Sequence, residues 1–346
     1  NILKKLAPDL LSLNEIQYDL PGVPDAGFAT TGQNLNKLAP RIGMGQATSV
    51  FFPANTGMNA KPQADGSYIL ESPTDEQRRL FADPVNFGMF PGQYSTGLLS
   101  RLDVLSVKEF HNISWKQVHP DLSLADFTDS NGEPLPEDMS LFDKNFTHVV
   151  VRFQDKPLHL ILFHTVPSFH FGNERTPNFQ RNLDQLRFLQ WYLGSDQSGI
   201  TQVEGIEPLK KGASFVAMGD WNVDPESDNP GARVIIELHA EFQMWTEERV
   251  VTYHGSSFAS GGFVAQFDYI LLSKDLKVVK SGVYQPDAQR QELGCGKKRP
   301  KKPPEGKELA HYRNNEGQAC SVAVSPEYYE LKMASDHLPL FAEITR

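Results

Sequence analysis

Five short segments of this chain share a design that narrows its possible folds more than any other feature. In each, an apolar run rich in branched or aromatic residues ends, and a side chain able to bind metal or phosphate follows at once. They are Leu10 to Glu15, Leu160 to His164, Phe215 to Asn222, Gln266 to Leu271 and Ser335 to Leu340. One such strand end means little. Five along one chain predict a single cleft at the edge of stacked sheets, where rigid strands position carboxylates and imidazoles.

The rest of the pattern agrees. Apolar runs at Leu10–Leu13, Ser49–Phe52, Gly97–Leu99, Thr147–Phe153, Leu158–His164, Ser214–Met218, Phe267–Leu272 and Leu338–Ile344 read as buried or half-buried strands. Helical spacing is clearest over Asn178–Leu193, where Leu183, Leu186, Leu189 and Leu193 share a face, and again over Ala232–Phe242. Strands outnumber helices without alternating one for one, which predicts mixed α/β layers in one domain over residues 1–346. Stretches rich in Pro, Gly and Asn at Pro21–Gly45, Pro53–Gly66, Asp121–Asp143 and Gln285–Gln318 are expected as loops, the last as a long insert.

Charge limits the partners. With 33 basic and 43 acidic residues the net charge is −10, which excludes a surface-wide nucleic-acid clamp and leaves room for a local basic site. The one dense basic run, Lys297-Lys298-Arg299-Pro300-Lys301-Lys302, reads as a solvated loop or as a polyanion contact. No stretch approaches the roughly 20 apolar residues of a membrane helix, and the charged start is not a secretory signal. The only two cysteines, Cys295 and Cys320, flank the last long loop, either as a bridge or as unrelated thiols. A bridge would imply a secreted or periplasmic protein whose signal has been removed.

The polar groups at the strand ends point to a hard cation. Glu15, Asp220, Asn222 and Asp336 offer oxygen ligands of the kind Mg²⁺, Mn²⁺ or Ca²⁺ require, and no Cys/His cluster has zinc spacing. A carboxylate-held ion with nearby histidines is also what hydrolysis of a phosphate ester asks for. Bland readings stand beside these: Gly-Asp-x-Asn is good turn chemistry, and a histidine ending a buried strand can simply be a satisfied core residue.

At these residues the sequence resembles the endonuclease/exonuclease/phosphatase superfamily. The matching segments are PDLLSLNE at Pro8–Glu15, GQYSTGLLSR at Gly92–Arg101, FHTVP at Phe163–Pro167, GDWN at Gly219–Asn222, FDYILLS at Phe267–Ser273 and SDHLPL at Ser335–Leu340. The run from Asn173 to Asn182 further resembles a bacterial subgroup of exported proteins. The resemblance implies a four-layer α/β/β/α sandwich of the deoxyribonuclease-I-like kind and divalent-metal-dependent hydrolysis of phosphate esters. It implies Glu15 and Asp336 as metal ligands, Asp220 as the residue that orients or deprotonates the attacking water, and Asn222 on a phosphate oxygen. It further implies His337 on the scissile phosphate with Asp268 fixing its ring, and His164 as general acid or phosphate ligand. The family also opens with a strand bearing a metal-binding Asn well before the Glu15 position. Here Glu15 is fourteen residues from the start, so that strand is either cut off or absent, and Asn1 is not assigned its role.

Beyond these, Arg175, Arg181 and Asn182 lie where arginine forks and a helix start could hold phosphate, although a solvated helix face explains them as well. Tyr94 is expected to line the cleft. His170 and His254 read as surface or loop residues. The expected activity is that of a monomeric phosphodiesterase or nuclease, with nucleic acid the first substrate candidate because His-x-x-Pro resembles the deoxyribonuclease branch. The alternatives are a phosphomonoesterase, a phospholipid phosphodiesterase, or a binding or toxin-subunit module on the same fold.

Overall fold

The computed structural model describes residues 2–70, 73–296, 300 and 302–346; Asn1 and most of the basic run at 297–302 lie outside them. In chain order the elements are α1 (Ile2–Leu6), β1 (Leu10–Ile16), α2 (Asn34–Leu38), β2 (Thr48–Phe51), α3 (Asp75–Phe81), β3 (Ser95–Ser100), β4 (Val104–Glu109), α4 (Trp115–Val118), β5 (Phe146–Phe153), β6 (Lys156–Phe163) and α5 (Asn178–Tyr192). There follow β7 (Phe215–Asp220), α6 (Pro230–Glu241), β8 (Gln243–Met244), β9 (Asp268–Leu272), β10 (Lys277–Val283), β11 (Gln291–Cys295), β12 (Glu308–Arg313), β13 (Ala319–Val324), α7 (Pro326–Ala334) and β14 (Leu340–Thr345).

These form a four-layer α/β/β/α sandwich. A six-stranded sheet, ordered β4-β5-β6-β7-β9-β8, makes one inner layer. The other inner layer consists of two pieces, β1-β3-β2 and β10-β14. Strand β1 packs on β7, and β14 packs on β9. Because β7 and β9 are neighbours, the two pieces stand side by side over the first sheet. β3 shows the layering within one pair of residues: Leu98 joins the large core between the sheets, and the next residue, Leu99, joins a separate cluster with Leu35, Ala39 and Met44 around α2. Side chains alternate across a strand, so a strand covered on both faces reads as continuously apolar.

Outside the six-stranded sheet, α5 and α6 pack against each other and bury Leu186, Phe188, Leu189, Val234, Ile235 and Leu238 in the large core. Pro230 opens α6 at a position where its missing N–H costs nothing. On the other side, Ile2 of α1 and Leu331 of α7 form a small cluster with Leu338.

The last long loop differs from expectation. The stretch 285–318 carries β11 and β12, which flank β13 in a three-stranded antiparallel sheet. Cys295 and Cys320 are direct partners across that sheet and are joined by a disulfide. Ala310 of β12 and Val322 and Val324 of β13 pack on Phe258, and half-buried Tyr312, Tyr328 and Tyr329 cover them. The apolar residues of β11 and β12 are few and set among polar and charged ones, so these largely exposed strands look like a loop in composition. The edge strand β4 escapes notice similarly, with four of its six residues exposed. Among the described residues no helix is long and apolar enough to cross a membrane.

Candidate active site

Sheet register builds the centre of the site. Asp220 closes β7, Asp268 opens β9, and the two are direct partners in the antiparallel ladder, so the pairing itself brings two carboxylates together. Facing them is His337, in the turn between α7 and β14. Its Nδ1 lies 2.7 Å from Asp268 Oδ2 and its Nε2 lies 3.7 Å from Asp220 Oδ2. The ligand-capable atoms of these three residues are all within 4.8 Å of one another.

His164 follows the end of β6, whose parallel neighbour is β7, and so arrives beside Asp220. Its Nε2 lies 3.3 Å from Asp220 Oδ2 and 2.9 Å from the Asn222 amide nitrogen. The buried Nδ1 has no hydrogen-bond partner among the described residues. Asn222 adopts the left-handed conformation at φ 51°, and its side chain also donates to the Thr165 carbonyl at 3.0 Å. Such a turn is available to Asn at little cost. Gly219 has a tighter constraint: a Cβ there would sit 1.9 Å from the Phe163 carbonyl oxygen. Only glycine lets β7 approach β6 so closely just before Asp220.

The charges are arranged asymmetrically. Burial pushes the Asp220 carboxyl up, but the charges of His164 and His337, hydrogen bonding to His164 and the Asn222 backbone N–H outweigh it and hold the group below the usual carboxylate value. Burial dominates at Asp268 and raises it. For His337 burial pulls the imidazole down, yet the hydrogen bond and charge of Asp268, with the charges of Asp220 and Asp336, push it up to about 10. The proton between Asp268 and His337 therefore belongs to the ring, an imidazolium between carboxylates.

Glu15 and Tyr94 come from the other inner layer. The β1–β3 pairing skips between Leu13 and Ile16, and Glu15 sits in that bulge at φ 58° with its side chain exposed. Tyr94 precedes β3, also left-handed at φ 66°. Burial and then the Glu15 charge push its hydroxyl up to about 12. Asp336 lies next to His337 in sequence and adds its charge to that ring. An acidic oxygen set of this kind fits a hard divalent ion. Among the described residues, the close group with ligand-capable atoms is Asp220, Asp268 and His337, and His337 would have to give up its proton to offer a lone pair.

The side chains of three expected phosphate contacts bond to protein acceptors. Arg181 is buried, and its guanidinium donates to the Leu141 and Ser140 carbonyls and to Asn86 Oδ1 at 2.9, 2.8 and 2.9 Å. Burial lowers it to about 10. Asn182 is also buried, and its amide ties the loops after β6 and β7 together by donating to Thr165 Oγ1, the Val166 carbonyl and the Trp221 carbonyl. Arg175 clamps the carbonyls of Ala125 and Asp126. Loop carbonyls without ladder partners need donors, and these side chains supply them. His170 is exposed, and His254, in a loop, is half-buried against Lys332 of α7.

Sequence reasoning missed three groups. Lys144 is buried, with its ammonium 2.7 Å from Asp143 Oδ2 and 3.2 Å from the same Thr165 carbonyl that Asn222 uses. Lys332 of α7, also buried, donates to His254 Nδ1 at 2.7 Å and to the carbonyls of His254 and Gly255. That pins a segment whose next bonds reach the site. The His254 N–H donates to the Asp336 carbonyl, and Thr252 Oγ1 accepts the N–H of Phe267 and of Asp268. The third is Tyr253, whose ring stands 5.0 Å from the His337 imidazole. No strand-end pattern marks any of them.

The model of the Endonuclease/Exonuclease/phosphatase family matches residues 1–337. No curated protein matches the sequence. Among solved structures, the chain is similar to an endonuclease/exonuclease/phosphatase family protein from Leptotrichia buccalis, with 11% identity, TM-score 0.44, and 94% of this chain and 89% of that one covered. It is also similar to a mannosyl-6-phosphatase from Bacteroides thetaiotaomicron, at 11% identity and TM-score 0.45 with 100% and 88% covered. A humanized D. rerio TDP2 matches at 13% identity and TM-score 0.42, again with 100% and 88% covered.

Proposed function

Since the chain belongs to the Endonuclease/Exonuclease/phosphatase family, whose members are phosphate-ester hydrolases, we propose that it is a divalent-metal-dependent phosphodiesterase acting through the cleft around Asp220. The observation that carries this reading is the Asp268–His337–Asp220 arrangement, at 2.7 and 3.7 Å, with His164 on the other side of Asp220 at 3.3 Å. An ionised carboxylate stands between two imidazoles, one of them fixed by a second carboxylate.

Asp220, held below the usual carboxylate value, is ionised at neutral pH and takes a proton from the attacking water. His337, carrying its proton, donates a charge-assisted hydrogen bond to a phosphoryl oxygen, and Asp268 keeps its Nε2 aimed at the centre. The Asn222 amide orients His164, which serves the leaving oxygen or a phosphoryl oxygen. Glu15 and Asp336 would hold the ion, and a bound Mg²⁺ or Mn²⁺ supplies Lewis-acid stabilisation of phosphoryl charge. The Cys295–Cys320 bond fits an extracellular or periplasmic site of action.

The test is hydrolysis of bis(p-nitrophenyl) phosphate and of plasmid DNA, with Mg²⁺ or Mn²⁺ and with chelator. Activity should require the ion, and Asp220→Ala and His337→Ala should each lower kcat by about 10²-fold or more, the range of a lost acid–base group. Equal, metal-independent activity in wild type and both variants would refute the reading. DNA cleavage that falls steeply with salt would favour a nuclease over small diesters as the working substrate.

A further inference from the structure

We propose that Tyr253, Phe263 and Phe267 form a ring-stacking subsite beside His337, one that takes a flat aromatic group carried on the phosphate ester. The proposal rests on the reading above, that a phosphate sits at His337, and adds what its substituent is.

Tyr253 bridges to Ala265 on one side and to His337 on the other, so the loop between residues 253 and 267 begins and ends at the site. The Tyr253 ring meets the His337 imidazole edge-on, with centroids 5.0 Å apart and planes at 70°. Phe267 lies 5.3 Å from Tyr253 and 6.4 Å from His337. Phe263 completes the group at 6.0 Å from Tyr253 and 6.1 Å from Phe267. The wall also stands at the charged centre: burial, and then the charges of Asp336, Asp220 and Glu15, raise the Tyr253 hydroxyl.

The form of the wall selects its occupant. The three rings are tilted to one another by 41–54°, which makes a shallow cup. Phe263 is 69% exposed and the adjoining Val264 46% exposed. Beside them, a Cβ at Gly261 or Gly262 would touch nothing within 4 Å, so the ring has room to adjust. An exposed phenyl continuous with a phosphate site offers offset or edge contact to another ring, a sequence-tolerant attraction open to an aryl group or a nucleobase alike.

The experiment is calorimetric titration of the Mg²⁺-loaded protein with methylphosphonate, phenylphosphonate and thymidine 5′-phosphate. Phenylphosphonate should bind about ten-fold tighter than methylphosphonate, the low end of what ring stacking gives. Phe263→Ala should remove that gain and leave methylphosphonate binding as it was, whereas Phe263→Trp should keep it. A comparable gain with thymidine 5′-phosphate identifies a nucleobase as the natural ring, and its absence identifies an aryl ester. Equal binding of the two phosphonates to wild type, or a preference that survives Phe263→Ala, overturns the subsite. Hydrolysis of bis(p-nitrophenyl) phosphate, measured in parallel, separates the two claims: turnover without ring preference defeats the subsite alone, and ring preference without turnover defeats the hydrolytic reading alone.

Discussion

At the scale of the residue, the imidazolium of His337 links protonation to folding. Its folded pKa is raised to about 10 from 6.5, chiefly by Asp268 against the opposing effect of burial. A raised base contributes stability that is fully present below the unfolded value and is lost as pH climbs through the folded one. Urea unfolding of chelated protein should therefore show stability declining between about pH 6.5 and pH 10, and Asp268→Asn should flatten the decline. An unchanged slope would mean that Asp268 does not raise the His337 ring. In sequence, a carboxylate or imidazole bordering an apolar run marks groups that the sheet then brings together, as at Asp220, Asp268 and His164. Arg181 and Asn182 are spent on the fold instead. There the helix start suggested an anion cradle, but the carbonyls of Leu141, Val166 and Trp221 had prior claim on the donors. Nothing local in sequence announces which distant carbonyl will need a partner.

At the scale of the element, two devices hold the strand ends in place. Between β6 and β7 the spacing depends on Gly219, where an added methyl would collide with the Phe163 carbonyl. Gly219→Ala should cost about 1–3 kcal/mol in chemical denaturation, the usual range for overpacking, and should displace Asp220 enough to lower kcat. The second device is α7. Its Lys332 binds three acceptors on His254 and Gly255, and that segment in turn touches Asp336 and His337. Lys332→Met leaves those acceptors bare, so a loss of about 1–3 kcal/mol is expected, with kcat reduced more than KM is raised. Wild-type stability in that variant would show the clamp to be idle. The central strands are legible from sequence because they are buried on both faces and read as unbroken apolar runs. The strands β4, β11 and β12 are not, because they are largely exposed and their few apolar residues are interspersed with polar and charged ones.

At the scale of the molecule, the sandwich and the small disulfide-tied sheet have separate cores, one around β5, β6 and β7 and the other around Phe258, Val322 and Val324. The bridge closes a separation of 25 residues, a loop whose closure in the unfolded chain corresponds to about 3 kcal/mol. Replacing both cysteines by serine should lower the stability of that sheet by about this amount. Near-ultraviolet circular dichroism from Trp115 and Trp221, buried in the large core, should persist to nearly the wild-type midpoint. Simultaneous loss of both signals at the lower midpoint would show one cooperative unit instead.

The chemistry-bearing groups belong to different sheets: His164, Asp220 and Asp268 to the six-stranded one, Glu15 to the piece led by β1, and His337 to the approach of β14. The proposed site is thus a seam between stacked slabs, and its geometry reports how those slabs are seated. A slippage too small to melt any strand would already part the reacting groups. On warming, turnover should fade before far-ultraviolet ellipticity does, which makes the enzyme a gauge of its own interlayer alignment.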